Sequence, residues 1–231
     1  DHRDLHKEYR RQRQMCIRDR YYSDDDSTAF IQDGKLVIRA DLVPQGTGSS
    51  DNLRYFSSAR LRTSGKGDWR YGRIEVKAKL ALGQGIWPAF WTLGANFPIV
   101  GWPACGEIDI LEYAGGNPLS NDKNKTNLST HHWSHNGSHA SYGNSIIHTE
   151  SLSSNYNIYE LFWTNDYIET KLNGKSFHVI DIKSGSVQEP FHGKHFFILN
   201  LAVGGNFSGN PNEDTVFPQH LMIDYIRVYN L

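Results

Sequence analysis

Short segments in which apolar and polar residues alternate constrain the fold of this chain most strongly. In the clearest of them, Arg73 to Leu80, every second residue is apolar. Further segments are rich in β-branched and aromatic residues and are separated by Gly, Asn, Pro or Ser: "GKLVIRA", "CGEIDILEY", "NIYELFWT", "YIETKLNG", "HFFILNLAVGG" and "LMIDYIRVY". Such segments are typical of strands, and no helical stripe competes with them. The pattern predicts an all-β protein, either a sandwich or a barrel of antiparallel strands.

The first 20 residues lack this pattern. The segment "DHRDLHKEYRRQRQMCIRDR" is polar, compatible with a helix and rich in Lys and Arg. We predict that residues 1–20 are an irregular, non-native or processing-related extension, with a functional basic arm as the alternative. Residues 21–231 are predicted to form a single domain.

The charge and the apolar content exclude several classes of protein. The formal net charge is −1, and the basic residues concentrate in the first 20 positions. A nucleic acid or an anionic membrane is therefore not an expected partner. The chain contains no apolar run of membrane-spanning length and no signal peptide. Its two cysteines, Cys16 and Cys105, form neither a disulfide framework nor a metal-binding pattern.

Three acidic residues lie in one apolar strand segment, "WPACGEIDILEY". Glu107 and Asp109 share a face of the strand, and Leu111 would be the next residue on that face. The third acid is Glu112, so only a β-bulge would return it to the same face. The spacing therefore predicts a bulge near Ile110 or Leu111.

Carboxylates arranged in this way suit the hydrolysis of a glycosidic bond. Two Glu side chains that lean together would bring their carboxyl groups to about 5 Å, near the separation in retaining glycosidases. The alternatives are a solvated outer face and a site for a hard cation such as calcium. Trp87, Trp91, Trp102 and Trp133 lie close to the acids in sequence, which favours a sugar-binding cleft.

The motifs "GIWPAFWTLG", "GWPACGEIDILEY", "LNLAVGG" and "MIDYIRVY" resemble glycoside hydrolase family 16, and most of all its laminarinases. The resemblance extends from about Phe30 to Leu231. It implies a concanavalin-like β-jelly roll, in which two antiparallel sheets pack together and a substrate cleft crosses the concave face. It also implies that Glu107 is the nucleophile, Glu112 the general acid/base and Asp109 an assisting carboxylate.

The resemblance assigns further residues to the cleft. In "STHHWSHNGSHASYG" it implies that His132 and Trp133 lie near the acid/base. The alternative there is a metal site made of histidines, namely His131, His132, His135 and His139. An accompanying Cys or acidic ligand is missing, and alternation along a strand would separate His131 from His132.

Other predicted substrate contacts are spread along the chain. Arg60 resembles an arginine that contacts glucose units on the non-reducing side, with a surface ion pair as the alternative. Trp91 resembles an aromatic cleft residue, and Trp102 should stack near the cleaved bond. Trp87 and Asn206 are also predicted to line the cleft.

The resemblance further implies a structural calcium ion, held by the carbonyl of Gly34 and the carboxylate of Asp224. Oxygen ligands of this kind are the ones that calcium takes. The N-terminal strand usually supplies a third ligand, and residues 1–20 do not match it. The alternative is that Asp224 is an ordinary acidic residue of the strand.

Together these features predict an endo-acting, retaining β-1,3-glucanase that needs no cofactor for catalysis. The alternatives are a mixed-linkage glucanase, an agarase or carrageenase of the same family, and a non-catalytic glucan-binding protein. Residues 83–116 and 126–145 contain no Lys or Arg, which favours a neutral glucan over a sulfated galactan. Because its substrate is a polysaccharide outside the cell, we expect a secreted protein, and we expect it to be a monomer.

Overall fold

Two β-sheets make up most of the computed structural model, which describes residues 20–47, 54–113, 122–183 and 189–231. Nine strands form the larger sheet: β1 (Arg20–Tyr22), β2 (Ala29–Gln32), β3 (Lys35–Thr47), β4 (Arg54–Ser58), β6 (Gly72–Lys79), β11 (Asn157–Trp163), β12 (Tyr167–Leu172), β13 (Lys175–Asp181) and β15 (Gln219–Tyr229). Six strands form the other sheet: β5 (Arg60–Arg62), β7 (Ile86–Gly94), β8 (Glu107–Glu112), β9 (Thr126–His135), β10 (Ser138–Ile147) and β14 (His195–Val203). The helices are short: α1 (Phe97–Val100) and two 3₁₀ helices, Asp122–Lys125 and Glu189–His192.

The strand order shows how distant segments meet. The nine-stranded sheet runs β1-β4-β3-β15-β6-β11-β12-β13, with β2 paired to β3. The six-stranded sheet runs β10-β9-β8-β7-β14-β5. Neighbouring strands are antiparallel except for β1 and β4, which are parallel. The prediction of an all-β sandwich of two sheets is therefore confirmed, with one parallel pair that the sequence did not indicate.

The apolar core lies between the two sheets. Strand β6 directs Ile74, Val76 and Ala78 into this core and leaves Arg73 and Lys77 on the other side of its sheet. This is the alternation predicted for residues 73–80. Because burial of apolar area is the main driving force of folding, the alternation fixes which face of each strand meets the opposite sheet.

The six-stranded sheet therefore has an inner face toward the core and an outer face away from it. Along β9, buried residues alternate with partly exposed ones, so that His131 and Trp133 point inward while His132 points outward. On β7, Phe90 belongs to the core, so its neighbour Trp91 lies on the outer face.

The N-terminal prediction lies almost wholly outside the described residues. Only Arg20 of the proposed extension is described, and it begins β1. Cys16 also falls outside them, while Cys105 is a buried free thiol. Within the described part of the chain, none of the helices has the length and apolar character needed to cross a bilayer.

Candidate active site

A β-bulge interrupts the strand that carries the three acids. Along β7, Phe90 pairs with Leu111 while the next residue, Trp91, pairs with Asp109, so Ile110 is the extra residue. On the other side, the four steps from Ile108 to Glu112 match only three steps of β9. The bulge predicted near Ile110 or Leu111 is confirmed at Ile110.

The bulge places all three acids on the outer face. Residues directly opposite each other in an antiparallel pair lie on the same face. Asp109 lies opposite Trp91, and Glu112 lies opposite Ala89, two residues away on the same side of β7. Glu107 lies opposite His132 of β9, which also points outward.

The segment before β8 packs against a second, smaller apolar cluster on the outer face. Leu93, Phe196 and Ile198 form its base, and Cys105 packs on them together with Phe97 and Trp102. Gly106, directly before Glu107, has a φ of 79°, and a Cβ there would come within 2.7 Å of Pro190. The backbone that leads into the first acid is therefore fixed by packing and by a glycine that no larger residue could replace without strain.

His132 approaches two of the carboxylates. Its Nε2 lies 3.2 Å from Oδ2 of Asp109 and 4.0 Å from Oε1 of Glu107. Asp109 is only 3% exposed, and its Oδ2 makes no hydrogen bond of good geometry. The 3.2 Å contact is therefore close but off the line of a good hydrogen bond.

Burial and mutual repulsion raise the proton affinity of these acids. Burial and the neighbouring Asp109 raise the pKa of Glu107 well above its ordinary value, and Glu112 adds to the effect. His132 and a hydrogen bond from the Trp102 indole act in the opposite direction on this pKa. Burial and the charge of Glu112 raise the pKa of Asp109. A cluster of this kind favours binding of a proton by one of its carboxylates.

Trp102 and His139 close one side of the acid cluster. The rings of Trp102 and His139 pack with centroids 4.7 Å apart, and Trp102 lies 6.1 Å from the His132 ring. Trp102 thus lies beside the acids, as predicted for a residue near the cleaved bond.

Arg60 and Trp91 also lie on the outer face, beside the acids and toward β5. The guanidinium of Arg60 lies 4.9 Å from the centre of the Trp91 ring, a cation–π contact. The indole N–H of Trp91 donates to Oδ1 of Asn200 at 2.8 Å, which fixes the plane of the ring. Arg60 lies opposite Asn200 in the pairing of β5 with β14. The three residues therefore form one surface on the same face as the acids.

Trp87 lies further along the same face of β7. Its ring packs against Phe207 with centroids 4.8 Å apart. Asn206 precedes Phe207 and is exposed, so it lies next to this aromatic pair in the chain. Contact between Asn206 and a substrate stays a prediction.

The prediction that Trp133 lines the cleft is wrong. Trp133 is 7% exposed and belongs to the core between the sheets, where its ring meets Phe191. The reason is the alternation along β9: if His132 points outward, Trp133 must point inward. His131 is likewise buried inside, with its ring 4.6 Å from that of His178, so the four histidines cannot share one metal ion.

The residues predicted to hold calcium do not fit that ion well. Oδ2 of Asp224 lies 2.9 Å from Nζ of Lys77. The hydrogen bond from Lys77 and the charges of Lys77 and Lys35 lower the pKa of Asp224. The carboxylate thus already has a cationic partner, and calcium would have to displace it. Binding of calcium at Gly34 and Asp224 stays a prediction.

Only one group of three potential metal ligands occurs among the described residues. Single atoms of Glu107, Asp109 and His132 all lie within 4.8 Å of one another. These are the residues of the acid cluster, and their positions on the outer face suit acid and base chemistry on a sugar. Their role in that chemistry stays a prediction.

The positions of His139 and Asn200 in this site are not among those predicted from the sequence. The first had a local signal: "HNGS" predicts a two-residue hairpin turn, which fixes the register of β9 against β10. Ser138 pairs with His135, so His139 and His132 are diagonal neighbours on one face. The pairing of Trp91 with Asn200 joins residues 109 positions apart and has no local signal.

Comparison with known proteins agrees with this geometry. The family "Glycosyl hydrolases family 16" matches residues 21–226. The clotting factor G alpha subunit of Tachypleus tridentatus is 36% identical over 203 residues, which are 87% of this chain and 28% of that protein. The glucan endo-1,3-beta-glucosidase A1 of Niallia circulans is 32% identical over 222 residues, 90% of this chain and 32% of that protein. The chain therefore spans about a third or less of these two relatives.

A solved structure supports the same assignment. The laminarinase catalytic domain of Thermotoga maritima superposes with a TM-score of 0.81 at 36% identity, covering 93% of this chain and 84% of that one. The family match, the two packed sheets and the three acids on one bulged strand lead to a single conclusion. The chain belongs to glycoside hydrolase family 16.

Proposed function

We propose that this protein is an endo-acting β-1,3-glucanase that hydrolyses laminarin-type glucan with retention of configuration. The observation that carries the proposal is the bulge at Ile110, which puts Glu107, Asp109 and Glu112 on one face beside Trp102. The similarity to proteins named as endo-1,3-beta-glucosidase and laminarinase supports this substrate.

In the proposed reaction Glu107 attacks the anomeric carbon while Glu112 donates a proton to the leaving oxygen. The covalent glycosyl-enzyme is then hydrolysed by a water molecule that Glu112 deprotonates. The substrate, water and these side chains supply every atom of the cycle. Asp109 assists Glu107 without forming a bond to the sugar.

The attack requires Glu107 to be ionised although its surroundings raise its pKa. We assign the proton shared by Glu107 and Asp109 to Asp109, because Asp109 is the more deeply buried acid, with 4% of its side chain exposed against 18% for Glu107. His132 lies near both carboxylates, but only Glu107 also has a hydrogen bond from the Trp102 indole to stabilise its negative charge. A neutral Asp109 also removes most of the repulsion that opposes ionisation of Glu107.

The outer face suits a neutral polysaccharide. Trp87, Trp91 and Trp102 offer aromatic surface along it, and Arg60 lies over the Trp91 ring. Aromatic faces pack on the CH-rich faces of sugars, and a guanidinium donates to their hydroxyl groups. We expect the polymer to lie across the strands, from the acids on β8 toward Trp91 on β7 and Arg60 on β5.

A non-catalytic glucan-binding protein is the second candidate, since a relative from Penaeus monodon, 34% identical over 184 residues, is named as a beta-1,3-glucan-binding protein. The presence of all three acids in one buried cluster favours catalysis. Burial of carboxylates is costly and would serve no purpose in a protein that only binds a neutral sugar.

Laminarin hydrolysis by the wild-type protein and by Glu107→Ser tests the proposal. We expect the substitution to reduce kcat at least about 10³-fold and to leave laminarin affinity within a few-fold, since only the nucleophile is lost. Glu189→Ser, which changes an exposed Glu outside the cluster, is the matched control and should retain full activity.

Proton NMR of the first products distinguishes the mechanisms, because a retaining enzyme releases the β-anomer first. Wild-type protein that binds laminarin without cleaving it would support the binding protein instead. Product profiles on laminarin, lichenan, agarose and carrageenan separate the activities within the family. Because its substrate is polymeric, we propose that the enzyme acts outside the cell, as a monomer.

A further inference from the structure

Three side chains form a row that ends at the acid cluster. Asp109 contacts Nε2 of His132 at 3.2 Å, and Nδ1 of His132 lies 2.9 Å from Nε2 of His139. The two imidazole planes differ by 24°, and their centroids are 5.1 Å apart. That separation is close to the N···N distance plus the two ring radii, so the rings meet edge to edge. The 2.9 Å contact therefore lies along the lone-pair direction of a genuine hydrogen bond.

We propose that His139 is a positioning residue for the reaction, and that its hydrogen bond to Nδ1 holds His132 in the tautomer that presents Nε2–H to Asp109 and Glu107. The inference rests on the proposed function of the same site. His139 acts only through His132, and it need not touch the sugar.

The acid cluster alone does not determine this tautomer. If Asp109 carries the shared proton, its hydroxyl can donate to a bare Nε2 as easily as its other oxygen can accept from Nε2–H. The partner of the opposite nitrogen, Nδ1, then determines the tautomer of His132, since each ring nitrogen of a neutral histidine is either a donor or an acceptor. In the proposed arrangement His139 donates its Nε2–H to Nδ1 of His132, which leaves the proton of His132 on Nε2; the reverse direction of the same contact would put that proton on Nδ1.

The tautomer of His132 matters because it determines the electrostatic potential at the proposed nucleophile, Glu107. The titratable groups around His132 are Glu107 and Asp109 on β8, His139 on β10, and the buried His131 beside it on β9. Nε2–H directed at the carboxylates stabilises ionised Glu107, whereas a lone pair in that position repels it. The two histidines also cannot both be cations, because two donors would then face each other across one contact.

Trp102 provides the alternative explanation that an experiment must exclude. Its ring packs on His139, so His139 could simply fill space between Trp102 and His132. Two substitutions separate these roles. His139→Phe keeps an aromatic ring of similar size and removes the nitrogen, whereas His139→Gln removes the ring and keeps an amide N–H that can donate to Nδ1.

We expect His139→Phe to lower kcat on laminarin about 3- to 10-fold, the range for one hydrogen bond, with KM changed less than about 2-fold. The acid limb of kcat/KM should move to higher pH, because Glu107 loses a donor that lowers its pKa. His139→Gln should recover kcat to within about 2-fold of wild type. His135→Phe, the same substitution at an exposed histidine of the same hairpin, is the control and should behave as wild type.

Nitrogen NMR of the histidine rings gives a readout that does not need activity. Wild-type His132 should appear as the Nε2–H tautomer, and His139→Phe should show a mixture. The proposal is overturned by unchanged kcat and tautomer in His139→Phe, or by a Gln variant as impaired as the Phe variant. If the wild-type protein does not cleave laminarin, the proposed function fails, while the NMR comparison still decides the role of His139.

Discussion

Replacement of Asp109 by asparagine tests where the shared proton of the acid cluster resides. Atoms of Asp109 and Glu107 lie within 4.8 Å of each other. Two unit charges at that distance repel by about 3.5 kcal/mol at an effective dielectric constant of about 20, which corresponds to about 2.5 pKa units. If Asp109 were ionised, Asp109→Asn would lower the pKa of Glu107 by about that amount.

The structure leads to a different expectation. Because Asp109 is the more deeply buried acid, we assign the proton to it, and asparagine then imitates the residue as it already is. The acid limb of kcat/KM, which reports ionisation of the free enzyme, should therefore shift by less than about half a unit. A loss of kcat is expected as well, because the amide is an imperfect copy of a protonated carboxyl group.

The assay measures kcat/KM for laminarin hydrolysis as a function of pH between pH 3 and 8. It must remain sensitive enough to follow a decrease of ~10³-fold in kcat/KM. Circular dichroism and the melting temperature show whether the variant is folded. A downward shift of two units or more in the acid limb would refute the assignment of the proton to Asp109. It would mean that Asp109 is ionised in the free enzyme and that Glu107 is ionised despite it.

Two further predictions concern stability. His195 is fully buried, and burial lowers its pKa to about 4, whereas an unfolded histidine has a pKa near ~6.5. The unfolded chain thus binds the proton first, so stability present above pH ~6.5 is lost as the pH falls toward ~4, by up to about 3 kcal/mol. His195→Gln should flatten the dependence of melting temperature on pH in this window, and equal slopes in both proteins would contradict the reasoning. The Lys77–Asp224 ion pair leads to the prediction that millimolar Ca²⁺ raises the melting temperature of the wild-type protein only slightly. In Lys77→Gln the carboxylate has lost this partner, so Ca²⁺ should raise the melting temperature more. Strong destabilisation of the wild-type protein by EDTA would show instead that calcium displaces Lys77.

The arrangement of the acids could be predicted because charge is costly inside a sheet. Glu107, Asp109 and Glu112 can share a face only if the strand contains an extra residue, and the structure has that residue at Ile110. The same rule of alternation should have kept Trp133 out of the cleft, since it had already separated His131 from His132. The resemblance to a His-Trp pair implies that both residues lie near the acid/base, whereas alternation along β9 allows only one of them there, and the structure follows the alternation.

Contacts between segments that are distant in sequence could not be predicted from local sequence patterns. Nothing near Trp91 in the sequence indicates Asn200, because strand order in a sandwich depends on which apolar faces pack best over the whole domain. The pairing of β1 with β4 in parallel is of the same kind. The ion pair of Asp224 with Lys77 depends on the pairing of β15 with β6, which the sequence does not specify.

The position of Ile110 has a consequence for how the gene could change. Leu111 and Glu112 already pair with Phe90 and Ala89, while Asp109 pairs with Trp91, so an in-frame loss of codon 110 would join two halves that are in register. A motif with one residue fewer between Asp109 and Glu112 would then place the same three acids on the outer face of the six-stranded sheet. A single deletion of three bases would therefore remove the bulge and keep the pairing of β7 with β8 on both sides of it.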